Sequence, residues 1–240
     1  MIQKSLFLLF NLIAFETIAP SLLAQQVPTQ IQKTYTEKVG FAAGGTIRVD
    51  DSYGDLMIEG WDRPEVEVTV IKSMPYDYKS QEATQHLDAI SVTTKRVSEN
   101  ELTISTTLAT RHSFFAPPWP RKTRADVIME YQIHVPRDSK LAIHHGSGSV
   151  FVTEMTGDIE ATGSRGDIML MLPNQVSYSV DATTKLGTIV SDLPGDVRKH
   201  HVVGQSFVNG RESASRRMRV RMGYGGITIK TTSAWTSGNR

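Results

Sequence analysis

The sequence predicts an all-β protein in which short strands stack as a β-solenoid of the β-helix kind. Two observations lead to this prediction: a glycine-led motif that recurs along the chain, and alternation of apolar and polar residues with a period of two. The chain also contains no cysteine. Without cysteine there are no disulfides and no thiolate metal ligands, so burial and backbone hydrogen bonds must stabilise the fold. An antiparallel β-sandwich is the alternative, because the same turn signals also fit hairpins.

The first 24 residues have the layout of a secretory signal peptide. A short basic start ending at Lys4 precedes the apolar run 5–15, and Ala24 stands where a signal peptidase would cut. The run is shorter than the roughly 20 apolar residues that span a membrane. We therefore expect an exported protein of the periplasm, the cell envelope or the outside, with no transmembrane segment in the mature chain. A retained N-terminal anchor is the alternative.

The rest of the chain is expected to form one domain. Residues 25–39 would lead into a single β-repeat domain at 40–232, and residues 233–240 would form a C-terminal tail. About 215 residues remain after cleavage, which is enough for one sizeable core.

Alternation with a period of two marks most of this domain as β-strand. The clearest runs are residues 65–70, 102–104, 133–135 and 141–143. One segment differs, because Ala83, Leu87 and Ile90 recur at helical spacing and Ser80 is available as an N-cap. The sequence therefore predicts one short helix over residues 80–89.

The repeated motif is a glycine, a small polar residue and an apolar–any–apolar triplet. Clear copies begin at Gly45, Gly54, Gly148, Gly157 and Gly166, and weaker copies at Gly187 and Gly225. Steps of 9 residues beside steps of 21 and 38, the last twice 19, indicate a coil of roughly 18 to 21 residues with two equivalent turns. We expect Gly157 and Gly166 to supply the positive φ of sharp turns, and Ile159 and Ile168 to point inward.

These motifs resemble a known bacterial family. A Gly-Asp-Ile and Gly-Ser-Val series, preceded by a strand that ends in Val135-Pro136 and by residues 141–143, is similar to that of the "putative adhesin" family of β-strand-repeat proteins, a domain of unknown function. The resemblance covers about residues 40–232. It implies adhesion or association with the envelope and provides no catalytic residues to transfer. The 110–124 loop and the late basic segment do not match its pattern.

The conspicuous acids and histidines have structural explanations. Asp55, Asp158 and Asp167 directly follow their glycines, so we expect them to accept hydrogen bonds from turn backbones, with Asp158 and Asp167 on opposite sides of a coil. A calcium roll would need paired glycines and a later aspartate. His144 and His145 are adjacent and should point to opposite faces of a strand, so they cannot chelate one metal together. No metal and no cofactor are expected.

The sequence contains no signature of an enzyme. A P-loop, a dinucleotide-binding fingerprint and a nucleophile elbow are all absent. We expect a non-catalytic, surface-presenting protein that binds an envelope glycan or protein. A carbohydrate-active β-helix enzyme is the first alternative, and a scaffold or regulatory partner of an envelope protein is the second.

His134 and His144 flank the Pro136 turn, and the sequence allows a contact between these two side chains across neighbouring strands.

An aromatic segment is the first candidate contact site. Phe114, Phe115 and Trp119 lie among prolines, and such restrained aromatic side chains can bind sugars, membranes or proteins at low entropic cost. The alternative is that this loop covers one end of the core.

A basic strand is the second candidate site. Residues 198–221 contain seven basic residues and one acid, a net charge of +6. Arg217, Arg219 and Arg221 alternate with apolar residues that should face the core, so the three arginines should line an exposed face about 7 Å apart. They would suit an anionic partner such as a phosphorylated or carboxylated envelope glycan. A solvated face neutralised by acids of neighbouring coils is the alternative.

Nucleic acid is not expected as a partner of this basic strand. The formal net charge of the whole chain is only +1, and export would separate the protein from nucleic acid.

Overall fold

A computed structural model describes residues 31–74, 80–108, 127–200, 203–210 and 214–232. In these ranges the chain forms one helix and two mixed sheets, which we call sheet A (eight strands) and sheet B (nine strands). The helix α1 (Ser80–Asp88) buries Ala83 and Leu87. The prediction of a nearly all-β chain with one short helix is therefore confirmed, although Ile90, the third residue of the helical spacing, begins a strand and lies outside the helix.

The spatial order of the strands differs from their order along the chain. From one edge to the other, sheet A consists of β1 (Ile31–Gly40), β4 (Glu65–Met74), β7 (Ile128–Pro136), β3 (Asp55–Trp61), β9 (Val150–Thr153), β11 (Ile168–Pro173), β17 (Ile227–Thr232) and β13 (Ile189–Ser191). Sheet B consists, in the same way, of β14 (Asp196–His200), β15 (Gly204–Val208), β12 (Tyr178–Leu186), β16 (Arg216–Tyr224), β10 (Ile159–Arg165), β8 (Lys140–Ser147), β2 (Thr46–Tyr53), β6 (Glu101–Leu108) and β5 (Ile90–Ser98).

Consecutive strands occupy matching positions in the two sheets, and we call each such pair a coil. The coils, in spatial order, are β2–β3, β8–β9, β10–β11, β16–β17 and β12–β13. Neighbouring coils pair in parallel in both sheets. In each coil a glycine turn carries the chain from sheet B to sheet A. These turns are therefore not the hairpins that the sandwich alternative requires.

The stack departs from a regular repeat in its order and at its ends. The last coil, β16–β17, lies between β10–β11 and β12–β13. The 38-residue step from Gly187 to Gly225 therefore contains no additional coil; it contains β14 and β15, which join the edge of sheet B in antiparallel orientation. At the other end β1, β4 and β5 are also antiparallel. β1 begins at Ile31, so strand pairing already starts within the segment 25–39.

The inward residues of both sheets form one continuous core. Ile159 and Ile168 are 2% and 1% exposed, whereas Met169 is 38% exposed on the opposite side of the same strand as Ile168. The predicted inward and outward positions of the repeat are thus confirmed. The physical reason is the strand pleat, which sends successive side chains to opposite faces.

Ile168→Asp is expected to lower the free energy of unfolding by about 3–5 kcal/mol, because it places an unpaired charge in a dry core. Met169→Lys should change it by less than about 0.5 kcal/mol, since that side chain already faces water. Urea denaturation of the two variants beside the parent measures both effects. Equal destabilisation by the two substitutions would contradict the register of β11.

Five glycines form a continuous line along the edge where the chain passes from sheet B to sheet A. This glycine column consists, in spatial order, of Gly54, Gly148, Gly166, Gly225 and Gly187, all with φ between 103° and 149°. A Cβ atom on Gly166 would collide with the carbonyl oxygen of Gly148. A Cβ atom on each of the other four glycines would likewise collide with a backbone carbonyl oxygen of an adjacent strand or turn. The Gly166 amide donates to the Tyr224 carbonyl oxygen of the next coil at 2.9 Å. Only glycine permits both this backbone conformation and this approach.

Gly157 does not have the positive φ that its motif predicts. It precedes β10, a strand of sheet B, whereas the glycine column precedes strands of sheet A. A Cβ atom on Gly157 would collide with the carbonyl oxygen of Ser139. The glycine is therefore required for close packing of two backbones and not for a left-handed turn.

Candidate functional site

The candidate site is built on β16, whose alternation is the predicted one. Its apolar residues Met218, Val220 and Met222 are at most 2% exposed. Arg217 and Arg219 are exposed on the outer face of sheet B, and Arg221 is half-buried there.

Parallel pairing on both sides of β16 brings acids to these arginines. Arg219 lies in register with Glu160 of β10 on one side and with Asp181 of β12 on the other. The backbone amide of Arg217 donates to Oδ1 of Asp158 at 2.9 Å. The neighbouring coils therefore provide the acids that the solvated-face alternative requires.

Arg221 differs from the other two arginines because it forms an ion pair. Its Nη1 donates to the main-chain oxygen of Asp181 at 2.9 Å and to Oδ1 of the same residue at 3.0 Å. The two side chains are 39% and 45% exposed, and a pair this exposed contributes at most about 1 kcal/mol to stability. Among the described residues no ion pair joins Arg217 or Arg219 to an acid.

A surface depression of about 420 Å³ lies beside these two arginines. Its charged lining consists of three bases and three acids: Lys140, Arg217, Arg219, Asp158, Glu160 and Asp181. Donor and acceptor side chains alternate from one strand to the next. A ligand in the depression would therefore meet hydrogen-bond partners of both kinds.

Sequence reasoning found the arginines of this depression but missed Lys140, Glu160 and Asp181. A usable signal was present for two of them. Glu160, Asp181 and Arg219 are separated by steps of 21 and 38 residues. The same two steps separate the repeat glycines Gly166, Gly187 and Gly225. In a parallel stack, equal steps place residues side by side.

As predicted, the aspartates of the glycine turns accept hydrogen bonds from backbone amides. These amides belong to the neighbouring coil and not to the aspartate's own turn. Oδ1 of Asp55 accepts from the Ser149 amide at 3.0 Å, and Oδ1 of Asp167 accepts from the Gly226 amide at 2.7 Å. Asp158 precedes a strand of sheet B and Asp167 a strand of sheet A, so the two lie at opposite turns of the coil. Among the described residues no group of three or more acids and histidines could hold a metal ion.

The histidines occupy separate environments. His144 lies on the outer face of sheet B, with Nδ1 2.9 Å from Oδ1 of Asp50, and the adjacent His145 is only 3% exposed. His134 lies in sheet A and stacks on Trp61 with 5.0 Å between ring centroids. The proposed contact between His134 and His144 is therefore wrong, because the turn between them sends their strands into different sheets.

Burial lowers the pKa of His145, and the nearby Asp55 carboxylate opposes this shift only in part. Protonation therefore favours the unfolded chain, in which histidine has a pKa of about 6.5. The contribution to stability is complete above that pH and is lost as the pH falls below it, by up to about 1.4 kcal/mol per pH unit.

His145→Asn is expected to flatten this part of the pH dependence, whatever its effect on stability at neutral pH. The measurement is the free energy of unfolding from urea titrations at about pH 8 and about pH 5. The parent protein, measured at the same two pH values, is the reference. A parental slope in the His145→Asn variant would contradict the assignment.

The aromatic candidates Phe114, Phe115 and Trp119 lie outside the described residues, as does the predicted signal peptide at 1–24. In the part of the chain that the structure describes, no helix has the length and apolar character to cross a membrane.

Comparison with known proteins adds a family and a fold. A family model described as "Toastrack DUF4097" matches residues 43–230. A "putative cell adhesion protein" from Clostridium sporogenes ATCC 15579 is structurally similar, with a TM-score of 0.51 at 11% identity, over 84% of this chain and 100% of that chain. A "putative adhesin" from Bacteroides fragilis NCTC 9343 has a TM-score of 0.35 at 9% identity, over 82% and 97% of the two chains. No curated protein matches the sequence. At 11% identity, the similarity to the Clostridium protein shows only that the two chains share a fold.

Proposed function

Since this chain belongs to the Toastrack DUF4097 family, a "putative adhesin" domain of unknown function, we propose that it is an exported, non-catalytic protein that binds an envelope glycan or protein through the outer face of sheet B. The observation that carries this proposal is the depression in which Arg217 and Arg219 stand exposed between acids of neighbouring coils. The Clostridium protein that shares the fold is a "putative cell adhesion protein", and we propose the same class of function for this chain.

The architecture supports a presenting role. We propose that residues 40–232 form one β-solenoid-like domain together with β1, which pairs with β4, and that a signal peptide at 1–24 is removed on export. Parallel coils, the glycine column and the turn aspartates join neighbouring backbones throughout the stack. Such a stack holds its outward side chains in fixed register, so a binding face can be changed by substitution without altering the core.

The chemistry of the depression favours an anionic glycan as the ligand. Exposed guanidinium groups bind carboxylates and phosphates through paired hydrogen bonds. Glu160 and Asp181, on either side of Arg219, can accept hydrogen bonds from sugar hydroxyl groups. A glycan with both kinds of group would satisfy both kinds of side chain.

The double substitution Arg217→Gln and Arg219→Gln is expected to weaken binding to a carboxylated glycan by at least about tenfold, because two charge-assisted contacts are lost. Alginate serves as the probe and uncharged dextran as its control, in a titration followed by calorimetry. Binding by the parent should weaken as salt rises through about 0.1 M, where charges are screened beyond roughly 10 Å.

Arg221→Gln is the matched control on the same strand, because Asp181 already holds that guanidinium. It should weaken binding by less than about threefold. The double variant should keep the parental melting temperature, because neither side chain lies in the core. Arg221→Gln should lower the free energy of unfolding by at most about 1 kcal/mol, because it removes an exposed ion pair. If the double variant binds alginate as tightly as the parent, this face is only solvated and the proposal fails.

A further inference from the structure

The outer face of sheet A carries exposed apolar side chains in one line. Cross-strand register aligns Met57, Phe151 and Met169 on β3, β9 and β11, and continues through Thr228 to Val190 on β13. Met57 is 47% exposed, Met169 38% and Val190 55%, while Phe151 is half-buried. We call Met57, Phe151, Met169 and Val190 the apolar row. It crosses the strands over about 19 Å, given about 4.8 Å between neighbours.

Carboxylates border the apolar row on both sides. Asp55, Glu130 and Asp167 lie one outward position before it, and Glu59 lies one position after it; all four are exposed. The outward positions of β7, β3, β9 and β11 include no lysine or arginine. On the Glu59 side, His134 lies 3.5 Å from Glu59, and Lys230 of β17 is exposed. The acidic rim of this face is therefore the one formed by Asp55, Glu130 and Asp167.

We propose that the outer face of sheet A docks a cationic amphipathic helix of a protein partner. A helix advances about 5.4 Å per turn, close to the spacing of neighbouring strands, so a helix lying along the apolar row places one apolar side chain per turn over successive strands. Basic side chains on the flank that faces Asp55, Glu130 and Asp167 then reach these carboxylates, which lie about 7 Å from the row along the strands. Many proteins bind an amphipathic helix in this way, with the apolar side of the helix packed against an apolar surface.

The charge pattern disfavours the other occupants of an apolar face. An anionic lipid surface would be repelled by the four carboxylates. In a symmetric dimer, two copies of this face would pack against each other around a two-fold axis. If the axis runs along the apolar row, Asp55 of one copy faces Glu59 of the other. If the axis runs along the strands, the rim formed by Asp55, Glu130 and Asp167 faces the same rim of the other copy. Like charges meet in both arrangements.

The probe is a synthetic amphipathic helix of leucine and lysine, roughly 14 residues or four turns long. The full chain is titrated with this peptide, and binding is followed by fluorescence anisotropy of the peptide. The parent should bind it, and the affinity should fall as salt rises. The double variant Met57→Ser and Met169→Ser should bind at least about tenfold more weakly, and Glu130→Gln about two- to fivefold more weakly. Val208→Ser, which removes an equally exposed (48%) side chain from sheet B, should bind as the parent does.

Several results would overturn the proposal: no binding by the parent, equal binding by the double methionine variant, equal binding of a peptide with glutamate in place of lysine, or preferential binding to vesicles of anionic lipid. The proposal does not depend on the glycan site, which lies on the other sheet. The double variant Arg217→Gln and Arg219→Gln should therefore bind the peptide normally, so a failure of either proposal can be told from a failure of the other.

Discussion

Gly166→Ala is expected to lower the free energy of unfolding by about 4 kcal/mol or more, which approaches the whole stability of a marginal domain. Two causes act together. The φ of Gly166 is 122°, a conformation that costs an L-residue about 1–3 kcal/mol. The new Cβ would also collide with the Gly148 carbonyl oxygen of the adjacent coil. Because this neighbour is backbone, the collision can be relieved only by separating the two coils.

Two other glycines separate these causes. Gly44 has a φ of 80° with no atom within 4 Å of the position of a Cβ, so Gly44→Ala should cost only about 1–2 kcal/mol of backbone strain. Gly40 has neither the positive φ nor a close neighbour, and Gly40→Ala should be silent within about 0.5 kcal/mol. Urea unfolding of the three variants gives the comparison. If Gly44→Ala costs as much as Gly166→Ala, contact within the glycine column contributes nothing.

A chain that ends at residue 215 is expected not to fold. It lacks β16 and β17, which lie inside the stack between β10–β11 and β12–β13. Their inward residues are Met218, Val220, Met222, Ile227 and Ile229, all at most 2% exposed. Each such side chain contributes about 1.5–3 kcal/mol by its burial, so the five together contribute an amount comparable with the net stability of about 5–15 kcal/mol typical of a domain.

A chain that ends at Thr232 is the matched control, because it keeps every described strand; its melting curve should be that of the parent. Far-UV circular dichroism during heating is the measurement, and the shorter chain should show no cooperative transition. A cooperative melt of the shorter chain would mean that β10–β11 and β12–β13 can pair directly when the coil between them is absent.

Local periodicity is sufficient to predict most elements and their inward faces, with the exception of β1, which lies in the segment expected to lead into the domain. Alternation identified the strands, Ala83 and Leu87 marked the helix, and Ile159 and Ile168 were assigned to the core. These features depend on residues close in sequence, because the pleat and the helical turn are properties of a few consecutive residues. The three arginines of β16 were placed on the outer face for the same reason.

The order of the coils could not be read from the repeat. The motif at Gly225 looks like the end of a regular series, yet its coil lies between two earlier ones. Gly157 and Gly166 carry the same local motif, and only Gly166 needs a positive φ. The difference depends on which edge of the stack each turn occupies, and pairing between coils, not the turn itself, decides that.

Both candidate faces depend on the same non-local pairing. Sequence alternation alone predicts that Arg219 faces outward, and the apolar–any–apolar motif places Met57 and Met169 at its middle position, between two inward residues. Only the tertiary structure decided that Glu160 and Asp181 flank Arg219, and that Met57, Phe151 and Met169 form one row. Neighbours across strands are fixed by backbone hydrogen bonds between segments far apart in the chain, and a shift of one residue in any strand would send its side chains to the other face.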